Sequence, residues 1–223
     1  MMETIRLGLG RRYAADERDG DYPLARAGPA AFPSRFLGSL GWRYWAPGPV
    51  LDQGVTPQCV AFAWKQYLQT SPIRQARSLR EPFVYAEAQQ RDEWPGEDYD
   101  GTSVRAGAKV LAEMGFIASY LWAQGAVEVR DWILQRGPVV VGTAWFESMF
   151  TPDDRGYLNI AGSLAGGHAY LVRGYSRFRN AFRCTNSWSE AWGQRGEFWL
   201  RYADLDWLIA QHGEACVAVE RAV

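Results

Sequence analysis

With 223 residues, the chain is long enough for one domain or for two halves sharing a cleft. Its 48% hydrophobic and 22% charged residues are those of an ordinary globular protein, which excludes disorder as its main character. A net charge of -1 gives no electrostatic reason to expect nucleic acid or an anionic membrane surface as a partner. The three cysteines lack the close spacing of a zinc site or a CxxC pair, so no metal, redox motif or disulfide framework is implied. That pattern fits a reducing compartment. The first ten residues have no sustained apolar core of a secretory signal, and no run reaches the length of a membrane span. The expected location is therefore cytoplasmic, or virion-associated if the chain is phage-encoded. Eleven Trp, eleven Tyr and ten Phe predict a densely packed aromatic core.

In chain order, residues 1–50 carry many Gly, Pro and Arg and little periodicity. Asp16–Pro23 and Gly28–Pro33 predict turns and an extended arm, with a short strand at Gly41–Trp45. Thr56-Pro57 predicts a helix start, the hydroxyl capping free N–H groups and the ring supplying helical φ. Val60, Ala61, Trp64, Tyr67 and Leu68 then recur at helical spacing. A basic loop at Ser71–Glu81 leads to a second helix from Pro82 towards Arg91, followed by an acidic loop at Glu93–Asp100. Asp100-Gly101-Thr102-Ser103 caps a third helix, Val104–Met114, which Gly115 ends. The second half begins with a helix around Val127–Arg136 that stops at Gly137-Pro138. Short strands follow at Val139–Trp145, His168–Gly174, Ala181–Thr185, Glu197–Tyr202 and Ala215–Glu220. The expected organisation is a 1–50 arm, a 51–125 helical lobe and a 126–223 β lobe within one α+β domain.

Cys59 falls in the first turn of its helix, where orphan N–H groups and the helix dipole favour a thiolate. Gln53, on a Gly-containing turn just upstream, would aim its amide at the same place and, with the Cys59 N–H, stabilise an oxyanion. Of the two histidines, His212 lies among polar residues and predicts an exposed loop. His168 follows Gly166-Gly167, where missing side chains admit a close backbone or substrate. Asn186, in Thr185-Asn186-Ser187-Trp188 at a strand end, would accept the His168 ring N–H, with Trp188 keeping water away. Taken singly, a buried cysteine, a histidine at a strand start and an Asn-Ser turn each also fit a purely structural role. Cys184 lies two residues before Asn186; it fits buried packing, a position near the site, or a strand-to-strand bond with Cys216.

Together these residues resemble the papain-like cysteine peptidases, in particular short bacterial and viral members. Gln53-Gly54 with Cys59 and Ala61-Phe62-Ala63 is similar to that family's oxyanion glutamine and nucleophile helix. Gly167-His168-Ala169 is similar to its histidine strand. Asn186-Ser187-Trp188 with Trp192-Gly193 and Gly196 is similar to its asparagine motif. The resemblance runs in one order over about residues 16–220. It implies a two-lobed fold, with a helical lobe carrying the cysteine and an antiparallel, barrel-like β lobe carrying histidine and asparagine. It further implies a catalytic set of Cys59, His168, Asn186 and Gln53, no cofactor, and a peptide or protein substrate bound near Gly101, Thr102, Gly167 and Trp188. Departures are Val60 where a tryptophan often follows the nucleophile, no cysteine at 55–57, and Ser189 where a glycine usually stands. The 52 residues before Gln53 are too few for the helical inhibitory segment of secreted members.

The expected reaction is acyl transfer to a Cys59 thiolate paired with His168. Two other readings use the same residues. One is an amide hydrolase directed at peptidoglycan; the other is an idle papain-like module that binds within a larger, possibly phage, assembly.

Overall fold

Helix formation in the first half follows from local signals. In the computed structural model, which describes residues 7–27, 41–75 and 79–219, the Ser103 hydroxyl accepts the Ala106 N–H at 3.1 Å and starts helix α3, Val104–Glu113. Helix α1 spans Cys59–Gln69 and α2 spans Glu81–Gln89, with a proline in its first turn. The expected turns at Gly28–Pro33 and part of the basic loop, residues 76–78, lie outside the described residues.

The α1 start differs from expectation. The helix begins at Cys59, with Gln58 as an N-cap that makes no side-chain cap bond. The Thr56 hydroxyl instead donates to the Gln53 carbonyl at 2.7 Å, and the Thr56 N–H donates to the same oxygen at 3.1 Å. Both bonds close the turn at Gly54, whose φ of +57° is the left-handed conformation glycine favours. Thr56 and Pro57 therefore stay in the loop.

The strands are β1 (Trp42–Tyr44), β2 (Ser119–Trp122), β3 (Val139–Phe146), β4 (Leu164–Ser176), β5 (Ala181–Thr185), β6 (Glu197–Arg201) and β7 (Glu214–Val219). They form one seven-stranded sheet in the order β2-β7-β3-β4-β5-β6, with β1 paired to the far end of β4; every ladder is antiparallel. Helix α4 (Ala126–Gln135) and helix α5 (Tyr202–Ala210) complete the architecture. Sequence reading missed β2 and α5. The α5 signal was present, since Leu205, Leu208 and Ile209 are buried at helical spacing. The strand expected to reach Tyr202 stops at Arg201 because the chain turns directly into that helix.

Side chains on β3 and β4 alternate between two cores, as a period of two requires. Val140, Ala169 and Leu171 pack with Trp64, Tyr67 and Leu111 of α1 and α3. Val139, Val141, Tyr170 and Val172 pack on the other side with Ile133, Phe182 and Phe198. Each such aliphatic side chain, fully buried, contributes about 1.5–3 kcal/mol. Cys184 belongs to one core and Cys216 to the other. They lie on β5 and β7, which β4 and β3 separate, and both are free thiols, so the bond between them left open by sequence does not form.

An ion cluster ties the strands under the Asn186 turn. Glu197 receives Arg173 on one carboxylate oxygen and Arg183 on the other, the latter at 2.8 Å, linking β4, β5 and β6. Removing the carboxylate leaves two guanidinium groups without their partner in a largely desolvated place. Glu197→Ala is expected to destabilise the fold by about 3–5 kcal/mol, measured as a lower urea midpoint; a change within about 0.5 kcal/mol would show that the cluster contributes little.

Candidate active site

Because Gln58 offers no side-chain cap, the first N–H groups of α1 are left for another acceptor. Cys59 Sγ takes that place. It lies within reach of its own N–H and that of Val60, and it accepts the Ala169 N–H of β4 at 3.4 Å. Cys59 is nevertheless fully buried, and burial pushes its thiol up to about 12 against the pull of those donors and of the Arg11 charge.

His168 sits one residue before Ala169 and pairs with Thr143 of β3. Its Nε2 lies 2.8 Å from Asn186 Oδ1. The same Oδ1 accepts the Ser187 backbone N–H at 2.8 Å, which identifies it as the amide oxygen. The histidine proton is therefore on Nε2 and the lone pair on Nδ1. Nδ1 is buried and has no hydrogen-bond partner. Trp188 stacks on the imidazole at 4.5 Å between ring centroids, and Trp145 meets it edge-on at 4.7 Å. Enclosed in this way, the imidazole is pulled down to about 4 by burial, against the raising effect of the Asn186 bond. Gln66 of α1 donates to the Asn186 carbonyl at 2.8 Å, and Asn186 donates its own N–H to the Gly196 carbonyl. Ser189, at the position where a glycine was expected, adopts φ +65°.

Gln53 lies close by, but its amide is committed. Both hydrogens are donated to backbone, at 3.1 Å to the Gly8 carbonyl and 2.7 Å to the Thr56 carbonyl, while Oε1 accepts the Ser187 hydroxyl at 2.6 Å. Gly8 belongs to a segment, Leu7–Arg12, that crosses the site. Its Gly10 and Arg11 N–H groups both bond the Gly167 carbonyl, Thr102 donates to the Gly10 carbonyl, and Arg12 donates to the Thr102 carbonyl. Trp188 Nε1 donates to the Gly8 carbonyl at 2.9 Å. A Cβ at Gly167 would lie 2.1 Å from the Arg11 carbonyl oxygen, so the close approach anticipated beside His168 is made by this segment.

The structure thus gathers Gln53, Cys59, His168 and Asn186, and sets Gly101, Thr102, Gly167 and Trp188 around the Leu7–Arg12 segment. His212 is exposed, as expected. Sequence reasoning missed Trp145, Gln66, Arg11 and Glu214. Trp145 was read only as a strand end, and nothing local marks Gln66 as the support of an asparagine 120 residues away. Among the described residues no group of His, Cys, Asp or Glu could hold a metal ion, and no helix is long and apolar enough to cross a membrane.

Similar proteins were found by sequence and by structure, whereas no protein-family model matches. The chain is 32% identical over 82 residues to cathepsin B-like cysteine proteinase 1 of Haemonchus contortus, which is 36% of the chain and 24% of that protein. It is 28% identical, over the same shares, to cathepsin B-like cysteine proteinase 5 of Caenorhabditis elegans. The chain therefore spans about a quarter of the length of the curated relatives it matches. Among solved structures, xylellain, a cysteine protease from Xylella fastidiosa, superimposes with a TM-score of 0.77 over 100% of this chain and 99% of its own at 20% identity. Procathepsin L2 from the larval midgut of Tenebrio molitor gives 0.62 over 98% and 81% at 19% identity. The bromelain protease of Ananas comosus, in complex with the E64 inhibitor, gives 0.63 over 82% and 100% at 13% identity.

The protonation states invite a direct check. A histidine pulled down to about 4 and a thiol pushed up to about 12 leave both groups neutral from pH 5 to 8. Nitrogen-15 NMR of the ring is expected to show neutral, Nε2-protonated His168 throughout that range. Because the unfolded histidine titrates near its ordinary value of 6.5, stability should fall as pH drops below that point towards 4. An imidazolium signal at pH 7 would mean that the ion pair already exists in this structure.

Proposed function

We propose that this chain, whose fold is that of the papain-like cysteine peptidases, hydrolyses peptide bonds through Cys59. The observation that carries this reading is the His168–Asn186 bond. It fixes the proton on Nε2 and leaves the lone pair on an unpartnered Nδ1, on the residue next to the amide that holds the Cys59 sulfur. His168 would take the thiol proton through that atom, and the thiolate at the α1 start would attack the substrate carbonyl. The resulting oxyanion would be stabilised by the Cys59 N–H and by the Gln53 amide once that amide is released from Gly8. His168 would then protonate the leaving amine and later activate the water that frees the acyl group. Trp188 and Trp145 would shield the His168–Asn186 bond from solvent and hold the ring in plane with its acceptor. No step of this acyl transfer calls on a metal or an organic cofactor.

The test is substoichiometric labelling with an epoxysuccinyl probe, mapped by mass spectrometry, beside steady-state hydrolysis of fluorogenic peptides. Labelling is expected at Cys59, not at Cys184 or Cys216, and should be lost in His168→Ala. Hydrolysis is expected to vanish in Cys59→Ala and to fall in kcat by about 10²–10³ in Gln53→Ala. Labelling spread evenly over the three cysteines and indifferent to His168 would sink the catalytic reading.

A further inference from the structure

We propose that the surface of the β lobe carries an oxyanion-binding pocket, built by Arg155, Arg179 and Arg201, whose ligand is inorganic phosphate or a phosphate monoester. It shares no residue with the Cys59 site and stands or falls apart from the peptidase reading. The cavity has a volume of about 390 Å³, within the range of roughly 300–1,000 Å³ usual for small-molecule sites. Three separated stretches of chain meet in it: the turn at Asp153–Tyr157, the β4–β5 hairpin with Arg179 and Asn180, and the β6–α5 junction with Arg201 and Ala203.

The positive charge at this pocket lacks a counter-charge. Close by on β4 and β5, Arg173 and Arg183 share the carboxylate of Glu197. Arg155 and Arg179 have no such partner: among the described residues neither guanidinium makes an ion pair. Arg201 reaches Asp204 only at 3.4 Å, and the same nitrogen donates to the Leu158 carbonyl at 3.0 Å and to Asn159 Oδ1 at 3.1 Å. The carboxylate in the lining, Asp153, is used by its own turn. Its Oδ1 accepts the Arg155 and Tyr157 backbone N–H groups at 2.9 and 2.8 Å. Two unpaired guanidinium groups beside one cavity repel each other. An oxyanion between them turns that repulsion into attraction, and the planar fork of each arginine matches its oxygens. Two unpaired positive charges also fit a phosphate dianion more closely than the single charge of a carboxylate.

The walls are already in place. Tyr157 and Trp199 of β6 stack with ring centroids 6.3 Å apart and are joined by a parallel bridge. Arg179 lies over Trp199 at 4.7 Å and turns Nη1 to the Tyr157 hydroxyl at 3.4 Å, while Arg201 lies over Tyr157 at 5.1 Å. Such cation–π contacts hold the guanidinium groups against the rings. The backbone is tied as well. Leu158 donates to the Trp199 carbonyl, Trp199 donates to the Gly156 carbonyl, and Gln194 donates to the Arg155 carbonyl at 3.0 Å. A ligand therefore has less ordering to impose when it binds.

The experiment titrates the full chain with sodium phosphate at pH 8 and constant ionic strength, followed by calorimetry and by NMR of the Trp199 indole and arginine Nε–H signals. One saturable site is expected, with a Kd of about 1 mM or below and shifts confined to residues 153–157, 179–180 and 199–203. The Arg155→Gln/Arg179→Gln double variant is expected to bind at least about tenfold more weakly, the loss of one charge-assisted hydrogen bond. Both side chains are exposed, so an unchanged urea midpoint should accompany that loss. Should the double variant be destabilised, Arg155→Gln alone, whose guanidinium makes no bond among the described residues, is judged by the same titration. Phenyl phosphate and a phosphoserine peptide separate the sources: tighter binding of the first supports a small-molecule ester as the ligand, and of the second a phosphorylated protein. Shifts that never saturate and that chloride reproduces would overturn the pocket, as would variants that bind phosphate as well as the wild type. Acetate binding as tightly as phosphate would overturn the assignment of a dianion.

Discussion

The junction of the α1 start with strand β4 is the constraint on which the rest of the site depends. Strand β4 lies in the middle of the sheet, paired with β3, β5 and β1, so its register is specified from several sides at once. A slip of one residue would send Ala169 and Leu171 to the wrong core and carry His168 away from Asn186. Helix α1 packs on that strand through apolar side chains and is tied to its other neighbours by two side-chain bonds, Trp64 to the Val104 carbonyl of α3 and Gln66 to the Asn186 carbonyl just past β5. With both partners immobilised, the Ala169 N–H falls on Cys59 Sγ. The closeness of Cys59 to the strand that carries His168 is thus built into the scaffold by the β4 register and the packing of α1.

The same enclosure controls the charge state. Burial raises a thiol and lowers an imidazole for one reason: each charged form has lost water. With the site covered, both groups are therefore neutral, while Nε2 of His168 remains bonded to Asn186. The Gln53 amide is likewise held by its surroundings, with both hydrogens on the Gly8 and Thr56 carbonyls. Position and charge state therefore have separate causes: the first comes from the sheet and α1, the second from what lies over the site.

Much of this was legible in the sequence, for identifiable reasons. Helical and strand periods, the Ser103 cap and the turn residues placed most elements within a residue or two. The ordered motifs around Gln53, Cys59, His168 and Asn186 named residues that the structure brings together. The failures have physical causes as well. Thr56 looked like a cap because a hydroxyl before Pro57 has that chemistry, yet the turn at Gly54 consumed it. β2 is only four residues long, too short for a period to be visible. Trp145 and Gln66 act across the fold, where no local pattern speaks for them. Arg11 and Glu214 stand 203 positions apart, and a lone arginine in a glycine-rich arm carries no mark of its partner.

The arm shows why a cleft occupant is the hardest feature to read from sequence. A carbonyl of one segment can press this closely on the Cα of another only where a Cβ is missing, and here the gaps occur on both sides: Gly8 and Gly10 in the arm, Gly101 and Gly167 in the walls. In the sequence each wall glycine has a local explanation, Gly101 as part of a helix cap and Gly167 as room beside a histidine. What could not be seen was that the room was already taken, since main-chain contacts leave no trace in side-chain periodicity. A glycine pair spaced by two near one end of a chain, together with glycines beside a candidate nucleophile's partners, is the pattern that such an arrangement leaves behind. It is a weak signal in one sequence, but it has a stated cause: each missing Cβ on one strand is matched by a carbonyl of the other.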